Sequence, residues 1–500
     1  MAKLSKKTLD RLPATVQAPL LANKRSKSRI LHIGVGGFHR SHQAYTWHRL
    51  RQRYPGQYAD WTLVGVCLMP ADREFVQQFS AQDCLYALRM RAADGKDDIM
   101  VIDSIADVIY GPENRDAVNS AMASAETRII SFTITEGGYN TDFDNHQFIW
   151  SNPDIQHDLD PANAPKTVFG YLARGLAERK QRGAGGLVLM SCDNIQENGR
   201  VLRNALLAFL EVYNPALKGW VAEQVSFPNS MVDRITPVST PADKDDFEHR
   251  FHLRDDVLVV SEDYFQWVLE DTGLTGIPPL AEVGVQLVDD VRPYEAMKLG
   301  ILNAGHSLVG LLGDALGYTR IHNAIQHPRI AAMFERYVME EAIPVLPTIG
   351  GIDLPAYFQA VRSRFSNAMI NDSTVRIISG SSDKIPKFLL PVVDKNLQRK
   401  DPNVQVSALV VAAWWFYLYR ANERNGMQDV ADHKKEELRG LFTDEPTSAL
   451  RFLQYRTVFG DLAANSLFMS HYQAAVSMLK SGKINELLMN NIIYKADDAK

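Results

Sequence analysis

Three observations predict an α/β chain with a strand-and-helix first part and a mostly α-helical second part. A short buried strand, Arg29-Ile-Leu-His-Ile33, runs into a glycine turn, Gly34-Val-Gly-Gly-Phe-His-Arg40, and then into a helical stretch. Further apolar runs recur at the spacing of βαβ units. Past about Asp290 the strand-like runs give way to long helical patterns. Strand, glycine turn, helix is the layout that binds dinucleotides. The reading is therefore a Rossmann-type NAD(P)-binding domain over 1–289, followed by a mostly α-helical substrate-binding and catalytic domain over 290–500.

In chain order, the first strand is expected at 29–33. Gly34 permits the tight turn and Gly36 lets the backbone approach a pyrophosphate at the helix N-terminus. His39 stands where the usual fingerprint has its third glycine. A second strand, 62–68, ends where an acid normally holds the adenosine ribose; here stand Met69 and Pro70, with Asp72 and Arg73 just beyond. Preference between NAD and NADP is thus left open. Strands are also expected at 100–105, 128–135 and 187–191, with a helix over 167–181. Two strand ends carry polar clusters, Glu136-Gly-Gly-Tyr-Asn140 and Cys192-Asp-Asn-Ile-Gln-Glu-Asn198, at the place where parallel sheets bind ligands; Asn194 stands out there. Helices follow at 295–312, 329–345, 354–365, 403–422, 434–441 and 464–480. Between them, Val375-Arg-Ile-Ile-Ser-Gly-Ser-Ser-Asp-Lys-Ile-Pro386 reads as a small polar loop whose Arg376 and Lys384 suit a polyhydroxylated or anionic small molecule.

Composition narrows the function. The 500 residues carry a net charge of −5, with 46% hydrophobic and 23% charged residues, which argues against nucleic acid or an anionic membrane as main partner. Cys67, Cys84 and Cys192 form no metal spacing, which suits a reducing cytoplasm. The stretch 1–28 is polar and basic, unlike a secretory signal. The longest apolar run, 406–419, is shorter than a membrane helix and reads as a buried helix.

The chemistry is expected on Tyr-Glu-Ala-Met-Lys-Leu-Gly-Ile-Leu-Asn-Ala-Gly-His, residues 294–306. At about 100° per residue, an α-helix places Asn303 about 140° and His306 about 80° round from Lys298, so one polar arc holds all three. An ammonium, an amide and an imidazole together offer a proton acceptor if burial lowers the lysine pKa, a donor for an oxyanion, and an orienting group.

On the turn 34–40 with Ser-His-Gln43 after it, the segment Val225–Pro237 centred on Val232-Asp-Arg-Ile235, the Lys298/Asn303/His306 helix and the Arg376–Lys384 block, the chain resembles the mannitol dehydrogenase family of polyol-specific long-chain dehydrogenases over nearly its full length. The resemblance implies metal-independent interconversion of a polyol (mannitol, arabinitol or sorbitol type) and its ketose with NAD, NADP remaining open, in the cleft between the two domains. It implies Lys298 as general base, Asn194 and Asn303 holding the alkoxide or carbonyl oxygen, and His306 orienting the substrate. Asp233, Arg376 and Lys384 would bind substrate hydroxyls, and Gly34, Gly36, Gly37, Phe38, Arg40, Met69 and Glu136 would line the cofactor. The expected protein is cytoplasmic and monomeric, with oligomers left open. Within the family, the rival is a keto-uronate reductase (fructuronate or tagaturonate type); Thr135-Glu-Gly-Gly-Tyr139 looks more like the polyol members. A non-catalytic dinucleotide-binding regulator has no need of the Lys, two Asn and His together. A zinc dehydrogenase would have to use His39 and His42, a pair that more readily packs or caps.

Overall fold

The computed structural model describes residues 2–19, 28–143, 145–272, 277–443, 447–484, 486 and 488. Of the amino-terminal stretch read as lacking a secretory signal, residues 1 and 20–27 lie outside these. The chain divides into two compact units, Met1–Arg292 and Pro293–Lys500.

The first unit is organised on a six-stranded sheet built from β1 (Ser28–Ile33), β2 (Trp61–Cys67), β3 (Ile105–Tyr110), β4 (Thr127–Phe132), β5 (Leu187–Ser191) and β6 (Val225–Ser226). All pairings are parallel, in the order β6-β5-β4-β1-β2-β3. That is the doubly wound dinucleotide-binding order, with the strand order reversing next to β1. The sheet is apolar on both faces, as a parallel sheet covered on both sides must be. Ile30, Leu63, Ile129 and Val188 point into one core, while their neighbours Leu31, Val64, Ile130 and Leu189 point into another. The helices α1 (Gly37–Ser41), α2 (Gln43–Arg53), α3 (Asp72–Ala81) and α4 (Asn198–Tyr213) follow the strands.

One expected strand is corrected. The run 100–105 is the end of one strand and the start of another: Asp97–Ile102 pairs antiparallel with Tyr86–Arg91, whereas β3 begins at Ile105 and pairs with β2. The junction, Asp103 and Ser104, is buried rather than loop-like. The Asp103 carboxylate is held by His48 Nδ1 at 2.9 Å and by Arg51 at 3.3 Å, so it needs no solvent. A second small sheet joins Ser230–Asp233, Gln266–Glu270 and Val285–Val288.

The second unit is helical around α5 (Arg292–Met297), α6 (Ala304–Ala315), α7 (Thr374–Ile378), α8 (Ser381–Phe388), α9 (Gln405–Asn425) and α10 (Ser466–Lys480). The apolar run 406–419 lies in α9, whose residues Val406 to Trp415 are buried; α9 packs along α10 and against α6. Among the described residues no helix is long and apolar enough to cross a membrane. Gly305 is required where α6 meets Phe334, since a Cβ there would lie 2.2 Å from the ring. The segment 375–386, expected as a loop, is instead the two short helices α7 and α8, joined at Gly380 with φ +65°. Ser373 caps α7 through its side chain, so the polar residues that suggested a loop act as helix-end chemistry.

Candidate functional site

The glycine turn follows β1 as expected. Gly34 has φ +96°, and a Cβ there would sit 2.1 Å from the Thr133 carbonyl oxygen, so only glycine fits. Gly36 is the opposite case. It caps α1 with an ordinary φ of −79°, and a Cβ would meet nothing within 4 Å. The space above the turn is open for a ligand, which is the cradle a pyrophosphate needs.

His39, in the place of the third glycine, turns inward and stacks on His32 with ring centroids 3.3 Å apart and planes 11° from parallel. A flat ring on a flat ring gives the close strand-to-helix approach that a small residue otherwise provides. Both imidazoles are fully buried, and burial pushes the His32 pKa down to about 3 and that of His39 well below the usual value. They are packing groups, as is His42, which stacks with Phe38 at 5.0 Å. Arg40 is buried over Phe75 and Tyr86. Its guanidinium donates to the Val257 carbonyl and, at 3.4 Å, to the Gly36 carbonyl. Arg40 therefore braces the turn from within. Met69, by contrast, is 65% exposed at the end of β2.

At the carboxyl ends of β4 and β5, the two polar clusters are tied together. Asp193 is buried and accepts from the Ile134 N–H at 2.9 Å, the Thr135 N–H at 2.8 Å and the Tyr139 hydroxyl at 2.6 Å. Burial raises its pKa above the usual carboxylate range, and the three donors oppose that rise. The clamp holds Thr135 at φ +59°, with Glu197 and Asn140 also in the left-handed region nearby in sequence. A β-branched residue at positive φ is strained, and such strain gathers at ligand sites. Glu136 is exposed on this segment, and Asn194 directly follows Asp193. Asp233 ends the strand Ser230–Asp233 and is buried.

In the second unit, residues 298–303 are a π-helix between α5 and α6. The expected regular α-helix is thus wrong in this turn. A π turn closes i→i+5, so Lys298 and Asn303, five apart, come nearer to one face than the α-helical angle allows. Single π turns inside α-helices are frequent at functional sites. The Tyr337 hydroxyl donates to the Gly300 carbonyl at 2.9 Å and supports the widened turn. Lys298 is 6% and His306 9% exposed. The His306 ring stacks on Phe365 at 3.9 Å, which fixes its plane. Among the described residues no donor reaches Asn303 Oδ1, so this oxygen keeps the capacity to accept a hydrogen bond from a ligand. Glu295, one turn before Lys298, is also buried.

The π turn packs against α8, and α6 packs against both α7 and α8, so the elements bearing Arg376 and Lys384 adjoin those bearing Lys298, Asn303 and His306. The Arg376 guanidinium is chelated by Asp372 through Nε at 2.6 Å and a second, shorter bond. Lys384 Nζ donates to the Ile377 carbonyl at 2.8 Å. Burial, helped by Arg376, pushes its pKa down to about 8. Among the described residues no group of three or more His, Cys, Asp or Glu is placed to hold a metal ion.

A parallel nucleotide-type sheet with an open glycine turn, and a helical unit with a buried lysine and histidine and a half-buried asparagine on a π-broken helix, define a two-unit dehydrogenase-like protein. The family model of the mannitol dehydrogenase Rossmann domain matches residues 28–281, and that of the mannitol dehydrogenase C-terminal domain matches 290–480. The chain belongs to the mannitol dehydrogenase family. It is 38% identical over 469 residues to mannitol 2-dehydrogenase of Aspergillus fumigatus, covering 92% of this chain and 93% of the relative. Among solved structures it is similar to Pseudomonas fluorescens mannitol 2-dehydrogenase in ternary complex with NAD and D-mannitol, with TM-score 0.86 and 36% identity, covering 99% of this chain and all of that one. It is also similar to a substrate-free D-sorbitol dehydrogenase, with TM-score 0.86 and 32% identity, covering 96% of this chain and 99% of that one.

Proposed function

We propose that this chain is an NAD-dependent polyol dehydrogenase of the mannitol 2-dehydrogenase type that interconverts a polyol and its ketose without a metal. The observation that carries this reading is the Lys298–Asn303 π turn leading into His306, which puts a buried lysine, a half-buried amide and a buried imidazole on one broken helix. NAD, when bound, accepts the hydride. Lys298 takes the proton of the reacting hydroxyl, and Asn303, with Asn194 assigned the same role from the first unit, donates to the oxygen as charge develops. These amides and the ammonium supply the polarisation that a Lewis acid would otherwise give. His306, its plane held by Phe365, orients the substrate. Asp233, Arg376 and Lys384 bind its further hydroxyls. Gly34, Gly36, Gly37 and Phe38 shape the cofactor turn with Glu136 beside it, Arg40 bracing the turn from below and Met69 at its adenosine end.

The names of the relatives support a polyol. A kinetic panel with NAD on mannitol, arabinitol and sorbitol and with NADH on fructose and fructuronate tests the reading. Turnover of at least one polyol and its ketose is expected; turnover of fructuronate alone would move the chain to the keto-uronate branch.

A further inference from the structure

We propose that Tyr337 is a positioning residue for the reaction: its hydroxyl, by holding the Gly300 carbonyl, keeps the turn 298–303 in its π form and so sets where Lys298 and Asn303 stand relative to each other. The proposal rests on the polyol dehydrogenase reading above and names a residue through which that site is held. A π turn is a rare form of helix, so a group outside the helix has to favour it over the α form. The Tyr337 hydrogen bond falls at the middle of the turn. Gly300 is two residues after Lys298 and three before Asn303, and its carbonyl accepts from the Tyr337 hydroxyl at 2.9 Å. Gly300 and Tyr337 are both buried. A Cβ on Gly300 would touch Leu346 and Val392 at 3.4 Å, so the surroundings are apolar and water is no ready substitute for the hydroxyl. Burial also pushes the Tyr337 pKa well above its usual value, which keeps the phenol a donor.

Tyr337 does not act alone. It opens a second π turn, Tyr337–Ala342, which packs against the first. Three residues earlier, at the end of the helix Pro328–Arg336, Phe334 lies on the same side. Its ring stands 2.2 Å from where a Cβ on Gly305 would be, and it stacks on Phe365, which in turn stacks on His306. One segment thus reaches Lys298 and Asn303 through Tyr337, and His306 through Phe334. The far end of the segment is fixed as well. The Glu341 carbonyl accepts from the Asn396 amide, and the Glu341 carboxylate accepts from the Val406 and Ser407 N–H groups at the start of α9. The segment is therefore a platform tied to the helical core, and the Tyr337 hydroxyl is its one polar link to the π turn among the described residues.

The test is Tyr337→Phe, which keeps the ring and removes only the hydroxyl, beside Leu479→Ala, which opens the same helical core in α10, where that helix packs along α9. Each purified chain is followed by thermal melt, NADH fluorescence titration, steady-state polyol oxidation against pH, and hydrogen–deuterium exchange of the amides over 298–306 without nucleotide. Tyr337→Phe should exchange faster over 298–306 and bind NADH as wild type does, since the nucleotide turn lies in the other unit. It should lose kcat and kcat/KM together by about 10- to 100-fold, as a misplaced reacting group does, with the basic limb of its pH profile displaced. Leu479→Ala should lower the Tm at least as far and leave the exchange over 298–306, kcat and the pH profile as in wild type. Wild-type exchange over 298–306 or wild-type kcat in folded Tyr337→Phe would overturn the proposal, as would an equal loss of kcat in Leu479→Ala below its melt. A wild type that oxidises no polyol would sink the dehydrogenase reading instead, while exchange over 298–306 would still decide whether Tyr337 holds the turn.

Discussion

Asp193 offers the sharpest structural perturbation outside the proposed reacting groups. Its carboxylate holds two consecutive backbone N–H groups, of Ile134 and Thr135, and the Tyr139 hydroxyl. Asparagine at this position has one acceptor oxygen. Keeping it where Oδ2 now lies serves Ile134 and Tyr139 but turns an amide NH₂ toward the Thr135 N–H. One buried donor is then unmet, at a cost of about 2 kcal/mol, which lowers the Tm of a unit of this size by about 4–8 °C. Thr135 also loses the bond that holds it at φ +59°, a conformation costing roughly 1–3 kcal/mol. If binding must supply that restraint, NADH affinity falls about tenfold, since 1.4 kcal/mol is a factor of ten. The assay is a thermal melt beside a fluorescence titration with NADH. Adding Thr135→Gly to Asp193→Asn should restore part of the affinity, because glycine adopts this φ freely. A folded Asp193→Asn with unchanged Tm and unchanged NADH affinity would refute the clamp.

Three further outcomes follow from the geometry. Gly34→Ala should cost stability, because its Cβ would overlap the Thr133 carbonyl, whereas Gly36→Val, with room around its Cβ, should fold normally and lose NADH binding; tight NADH binding by folded Gly36→Val would remove the turn from the site. Glu341 is fully buried, accepts from the Val406 and Ser407 N–H groups and the Ser407 hydroxyl, and burial raises its pKa to about 7. A raised pKa means that the fold holds this proton more tightly than the unfolded chain does. The stability it confers is thus complete below about pH 4.5 and is lost as pH rises to about 7, on the order of 3 kcal/mol; the Tm difference between wild type and Glu341→Gln should change across this window and nowhere else, and a difference flat with pH would contradict it. Polyol oxidation should survive EDTA or dipicolinate; loss of activity restored by zinc would end the assignment of Asn194 and Asn303.

Much of the fold was legible because its signals are local. Ile30/Leu31 and Ile129/Ile130 are adjacent apolar residues that face opposite cores, and only a strand buried on both faces tolerates such runs. The helix expected at 354–365 is the observed Leu354–Phe365, bounded by the side-chain cap of Asp353. What failed was set by distant partners. The break at Asp103 carries no glycine or proline; it is stabilised by His48 and Arg51 from α2, so the sequence there reads as one strand. The π turn at 298–303 has the same apolar pattern as an α-helix, and its support, Tyr337, lies 37 residues away. In the candidate site, residue types were readable but commitments were not. Arg376 and Lys384 also hold Asp372 and a helix carbonyl within the fold, and Arg40 holds the Val257 carbonyl. The Asp193 clamp joins two strand ends through contacts that no spacing in the chain announces.

Lys298 is proposed as the base, and its replacement tests that role directly. A positioned general base contributes about 10² to 10⁴ in rate, so Lys298→Ala should lose that factor in kcat for polyol oxidation while binding NADH as wild type does. Its pH profile should lose the rise toward basic pH, and a small exogenous amine should recover part of the activity. Near-native oxidation by folded Lys298→Ala, with the wild-type pH dependence, would contradict the account and leave the π turn a wall of the site.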